Sequence, residues 1–114
     1  MLALFERYSQ TSDKPKSKIT PISVKKGAPI VFKTILNFLK IEEYDDIETN
    51  KNFNEIYCCD RDYEITISVF DEGNYESLIN ISVYGEKKRG RTRGKLKSFR
   101  NLIVGLFVDD IEEP

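Results

Sequence analysis

Histidine does not occur in this 114-residue chain. Its absence removes the commonest general base, the commonest metal ligand and every nucleophile–histidine pairing at once. Cysteine occurs twice, as the adjacent pair Cys58 and Cys59. Neighbours on a strand point to opposite faces, so a bridge between them is strained, and they read as two reduced thiols of a cytosolic protein. They lack the spacing to share a zinc site, and the chain has no GxGxxG, no phosphate loop ending in GK[ST], no CxxC and no HExxH. No stretch approaches the roughly 18 apolar residues of a membrane span. The first ten residues, MLALFERYSQ, have no basic leader, and their apolar run breaks at Glu6. These absences predict a non-enzymatic, cytoplasmic protein with no cofactor, no metal, no small-molecule substrate and no membrane association. The paired carboxylates Glu42/Glu43, Asp45/Asp46 and Asp109/Asp110 lie in acidic runs and read as solvated faces.

What is present is enough for one domain with a proper core: 39% hydrophobic and 32% charged residues, with a net charge of −1. The stretch 63–84 organises the rest. Tyr63, Ile65, Ile67 and Val69 alternate with polar residues. Ile79, Ile81 and Val83 answer them after Asp71-Glu72-Gly73-Asn74, the pattern of an antiparallel hairpin with one buried face. Residues 55–59, EIYCC, predict a third strand, joined to the hairpin by an Asp60-Arg61-Asp62 turn. Gly27-Ala28-Pro29 opens a first helix, whose body at 30–41 carries Val31, Ile35 and Phe38 at helical spacing. A last helix is expected from about Lys95 to about Asp109, with Leu96, Phe99, Leu102, Ile103, Leu106 and Phe107 on one arc. Gly105 falls outside that arc.

Upstream, residues 1–10 suggest a short helical turn, 11–18 a polar linker, and 19–24 a short extended piece that Pro21 confines to an edge. The acidic stretch 42–50 reads as the end of the first helix. The expected architecture is α+β: a two-layer sandwich of a three-stranded antiparallel meander with two helices on one face, in the order α-β-β-β-α. It occupies residues 25–114 and is preceded by an extension at 1–24.

Charge is distributed unevenly. Eight of the eighteen basic residues fall within 87–100 with no acid among them. They stand at the start of the last helix, where the dipole disfavours cations, while acids follow at 109–113. The first helix repeats the inversion, with Lys25 and Lys26 before it and Glu42, Glu43, Asp45 and Asp46 after it. With three strands between them the helices run parallel, which places both basic ends at one pole. That pole is either a solvated loop or an anion- or partner-binding site made of Lys87, Lys88, Arg89, Arg91, Arg93, Lys95 and Lys97. On the sheet face away from the helices, Phe70, Leu78 and Tyr84 are a second candidate contact, unless residues 1–24 fold across it using Leu2, Phe5 and Tyr8.

In element order, and in its basic glycine-containing loop before the final helix, the stretch 28–108 resembles the double-stranded-RNA-binding domain. That resemblance implies phosphate contacts from Lys95 and Lys97. The chain departs from the family in lacking its paired alanines on the last helix and in the acidic loop Asp60-Arg61-Asp62. The functional expectation is a small intracellular adaptor, inhibitor or immunity-like protein. It would bind a protein partner or a second copy of itself by electrostatic and sheet-face contacts. The alternative is RNA or DNA binding through the basic segment.

Overall fold

The computed structural model describes residues 8–12, 19–85 and 91–111. Its elements are β1 (Tyr8–Gln10), β2 (Ile22–Val24), α1 (Ala28–Ile41), β3 (Asp45–Asn50), β4 (Glu55–Asp60), β5 (Tyr63–Gly73), β6 (Glu76–Tyr84) and α2 (Thr92–Leu106). The alternation in the organising hairpin is realised in β5 and β6. Ile65, Ile67, Val69, Ile79, Ile81 and Val83 are each at most 1% exposed. Val31, Ile35 and Leu39 of α1 and Leu96, Phe99 and Ile103 of α2 join them in one core cluster. The result is a small α+β fold with both helices supplying side chains to the same Ile/Val face.

The sheet is larger than the expected three-stranded meander. It is antiparallel with six strands among the described residues, in the order β1-β6-β5-β4-β3, and β2 also pairs with β6. β1 and β2 lie end to end along one edge of β6, opposite Ser82–Tyr84 and Ser77–Ile79 respectively. Between them the Thr11 backbone N–H donates to the Ile81 carbonyl at 2.8 Å, and the Thr11 hydroxyl accepts from the Ile81 N–H at 3.0 Å. Tyr8–Gln10 is therefore extended rather than a helical turn; Leu2 and Phe5 lie outside the described residues. Pro21 immediately precedes β2 at the edge, where its missing N–H costs no ladder bond.

The acidic stretch after α1, expected to be its fading end, is the edge strand β3. A strand with one neighbour needs few apolar residues, and charge on it blocks pairing with another chain. Its register slips by one residue between Asp45 and Glu48, where Asp46 takes φ +49°. That bulge returns Ile47 to the core side. The hairpin turn also differs: β5 runs on to Gly73 (φ +81°), and the connection is Asn74-Tyr75 with φ of +53° and +60°. Two left-handed residues make a type I′ turn, whose twist matches that of the strands.

The fourth consecutive strand changes the direction of α2. The start of α1 is level with the β5–β6 turn: the Ser77 hydroxyl donates to the Lys26 carbonyl at 2.7 Å, and a Cβ built on Gly27 would lie 4.0 Å from the Tyr75 ring. The end of α1 leads through Tyr44, whose ring packs on Phe38 and Phe99, to Asp45 opposite Cys59. α2 starts at that same end, where Lys95 is ion-paired with Asp60. Its far end returns to the hairpin end, where the Lys25 N–H donates to the Asp110 carbonyl at 2.7 Å and Val24 bridges Ile111. The helices are antiparallel, so the expected parallel pair, the single basic pole and the α-β-β-β-α order shared with the RNA-binding domain are all corrected.

Candidate functional site

The register sets out the face of the sheet away from the helices as a grid of rows. One row across β1, β6, β5, β4 and β3 is Tyr8, Tyr84, Glu64, Cys59 and Asp45. The next is Gln10, Ser82, Thr66, Tyr57 and Glu48. A third carries Asn80, Ser68, Glu55 and Asn50, and a fourth Leu78 and Phe70. The centre of this grid is small and polar (Ser82, Thr66, Asn80, Ser68), while its surroundings are large. A face with short side chains ringed by long ones is concave, and no described element packs over it.

The concavity is two hollows that meet at Thr66. The larger, about 410 Å³, lies between Tyr8, Phe70 and Glu55 over the floor of Ser68, Asn80 and Ser82. The smaller, about 290 Å³, is lined by Asp46, Glu48, Glu64, Tyr57 and Cys59. The β3 bulge brings Asp46 to this side. Tyr8, Tyr57 and Phe70 remain 50%, 38% and 48% exposed, so their rings are available to a partner.

The polar groups are held in place by the chain itself. Tyr57 donates its hydroxyl proton to one oxygen of Glu55, and Ser68 donates to the other at 3.3 Å. The bond to Glu55 raises the Tyr57 pKa, which keeps the phenol a donor. Tyr8 donates to Gln10 Oε1 at 2.7 Å, and Thr11 to Asn80 Oδ1 at 3.0 Å. Each Glu55 oxygen therefore has a lone pair unused, since a carboxylate offers about four acceptor positions. Burial first, then the charges of Asp46 and Glu64, raises the Cys59 thiol, and burial first raises Cys58 to about 12, so neither thiol is a ready nucleophile at neutral pH. Among the described residues, four carboxylates line the two hollows, and no lysine or arginine does.

The residues expected to form the basic site are placed differently. Lys87, Lys88 and Arg89 lie outside the described residues. Arg91, Arg93 and Lys97 are exposed and pair with no described acid. Lys95 is half-buried, bonded to Asp60 and 5.7 Å from the centroid of the Tyr63 ring. Arg100 donates to the Thr20 carbonyl at 2.6 Å and to its hydroxyl at 3.2 Å. Because α2 starts where α1 ends, Arg91, Arg93 and Lys95 share one end of the molecule with Glu42, Glu43, Asp45, Asp46 and Asp60. Inverted charges on antiparallel helices oppose each other end to end, which accounts for the inversion without an outside anion.

Of the three expected sheet-face residues, Phe70 and Leu78 are directly opposite, whereas Tyr84 is three rows away beside Tyr8, roughly 20 Å along the strand. Sequence reasoning missed Glu55, Glu48, Glu64 and Asp46 as members of the site; Tyr8, expected to fold across this face, reaches it as the rim of the larger hollow. The small polar residues at Thr66, Ser68, Asn80 and Ser82 were the available signal.

No protein-family model matches the chain, and no curated protein matches it significantly in sequence. None of the described helices is long and apolar enough to cross a membrane, and no described group of histidine, cysteine and carboxylate side chains is arranged to hold a metal ion.

Proposed function

We propose that this chain is a non-enzymatic cytoplasmic binding protein, of adaptor or inhibitor character, that engages a protein partner or a second copy of itself through the concave face of its sheet. The observation that carries the reading is that face: exposed aromatic rings around a floor of short polar side chains, with no described element over it. Aromatic residues beside a desolvatable polar floor are the composition of binding hot spots. The lack of histidine and the raised thiols support a role without catalysis.

Nucleic-acid binding through the start of α2 has weaker support. Lys95 and Arg100 are engaged within the chain, and the remaining described cations stand among carboxylates that repel phosphate. The test is site-specific photo-crosslinking in the source cell with a benzophenone side chain at Thr66 or at Ser98. Ser98 is exposed on α2, away from the concave face. Discrete adducts from Thr66 and none from Ser98 are expected; adducts from Ser98 alone would refute the reading.

A further inference from the structure

Resting on that reading of the face, we infer that its occupant is an extended protein segment bearing arginine or lysine at alternate positions. The deciding feature is charge. Asp46, Glu48, Glu55 and Glu64 line the two hollows, no described lysine or arginine lines either, and these carboxylates repel a phosphate-bearing or acidic partner. Glu55 is the best-built receptor among them. Tyr57 and Ser68 each hold one of its oxygens, Glu55 lines the larger hollow, and its carboxylate keeps acceptor capacity for a planar guanidinium.

Tyr8 and Phe70 line the same hollow, and a cation seated over either ring face is attracted by it. Geometry also selects an extended segment. Glu55 on β4 and Glu48 on β3 are diagonal neighbours in adjacent rows of the grid, a separation of roughly 7–8 Å. Alternate side chains of an extended peptide repeat at roughly 7 Å, and the long arginine and lysine side chains span the small difference, so cations at positions i and i+2 reach Glu55 and Glu48 together. A helical segment brings residues i and i+2 to different sides and would need its cations at i and i+3 or i+4, so the alternating pattern belongs to an extended segment.

The full chain is titrated, by fluorescence anisotropy at about 50 mM salt, with a labelled eight-residue peptide of alternating arginine and serine. A glutamate–serine peptide of equal length serves as the comparison. Binding of the arginine peptide alone is expected. Glu55→Gln, which keeps an oxygen acceptor and the side-chain shape, should weaken it roughly tenfold, and adding Glu48→Gln should weaken it further. Lys97→Gln should leave it within about twofold. Circular dichroism melts establish that each variant is folded. Equal binding of both peptides, binding indifferent to Glu55→Gln, or no binding of the arginine peptide at about 1 mM would overturn the inference. Binding of a labelled single-stranded oligonucleotide where the arginine peptide does not bind would do the same. If the peptide fails while crosslinking from Thr66 persists, the face is a docking site for a partner that is not basic. If both fail, the docking face itself is refuted.

Discussion

Replacing Ser9 by alanine should destabilise the fold by more than the loss of one ordinary hydrogen bond. The Ser9 and Thr92 hydroxyls are 2.8 Å apart, with Thr92 fully buried and Ser9 only 8% exposed. They join β1 to the first residue of α2 across 83 positions of sequence. Ser9→Ala strands a buried hydroxyl on Thr92, and such a group costs about 1–3 kcal/mol. Thr92→Val strands Ser9 instead, at about 1 kcal/mol because that site is nearer water. The double variant leaves no unpaired group and forfeits only the net value of the bond, about 0.5–1.5 kcal/mol. The two single losses therefore exceed the double by about 2 kcal/mol at the middle of these ranges.

The assay is urea unfolding of all four proteins, with thermal melts in which 1 kcal/mol corresponds to about 4 °C at this size. Additivity of the two substitutions within about 0.5 kcal/mol would refute the coupling and, with it, the attachment of β1 to α2. The attachment matters for the site, since β1 carries Tyr8 to the rim of the larger hollow.

Gly105 is exposed near the end of α2, and a Cβ built there meets nothing within 4 Å. Gly105→Ala should raise stability by about 0.5–1 kcal/mol, read as an increased urea midpoint. Tyr75→Gly should also stabilise, by about 1 kcal/mol, because a tyrosine at φ +60° is the disfavoured residue in that turn; an unchanged midpoint would dispute the turn type. Stability should fall at alkaline pH. Burial first, then Cys59 and Asp60, pushes the Cys58 thiol to about 12 from 9.0, and burial first, then Asp60, pushes Tyr44 to about 12 from 10.0. Both folded values lie above the unfolded ones, so the contribution is complete below pH 9 and lost between 9 and about 12. Urea midpoints from pH 8 to 11 should be level at first and then decline, and Cys58→Ala should remove the earlier part of the decline.

The elements that bury a whole face were legible in the sequence. Ile65-Ile67-Val69 and Ile79-Ile81-Val83 announce β5 and β6 by period two, and Val31, Ile35 and Phe38 announce α1 by helical spacing, with Leu39 rather than Phe38 the fully buried one. β3 was not legible, because an edge strand with one inward apolar residue, Ile47, carries almost no periodicity and its acids serve solvent. Missing that strand reversed the inferred direction of α2, since each additional antiparallel strand turns the chain by half a revolution. The charge argument built on parallel helices failed with it, although the sequence charges themselves were read correctly.

The site was partly visible. Phe70 and Leu78 follow from the alternation of the hairpin, but placing Tyr84 far from them requires only counting rows, and gathering Glu55, Glu48 and Asp46 requires the register of β3 and its bulge. Tyr8 joins from a three-residue strand too short to signal itself.

The claim on which the account rests is that the concave sheet face, rather than the basic start of α2, is where a partner binds. Retention of that partner by the chain carrying Thr66→Arg, which places a cation where the two hollows meet, is the direct measurement, set beside Arg91→Glu with Arg93→Glu. Loss with Thr66→Arg and retention with the double reversal is the predicted result. Loss with the double reversal and undiminished retention with Thr66→Arg would contradict it.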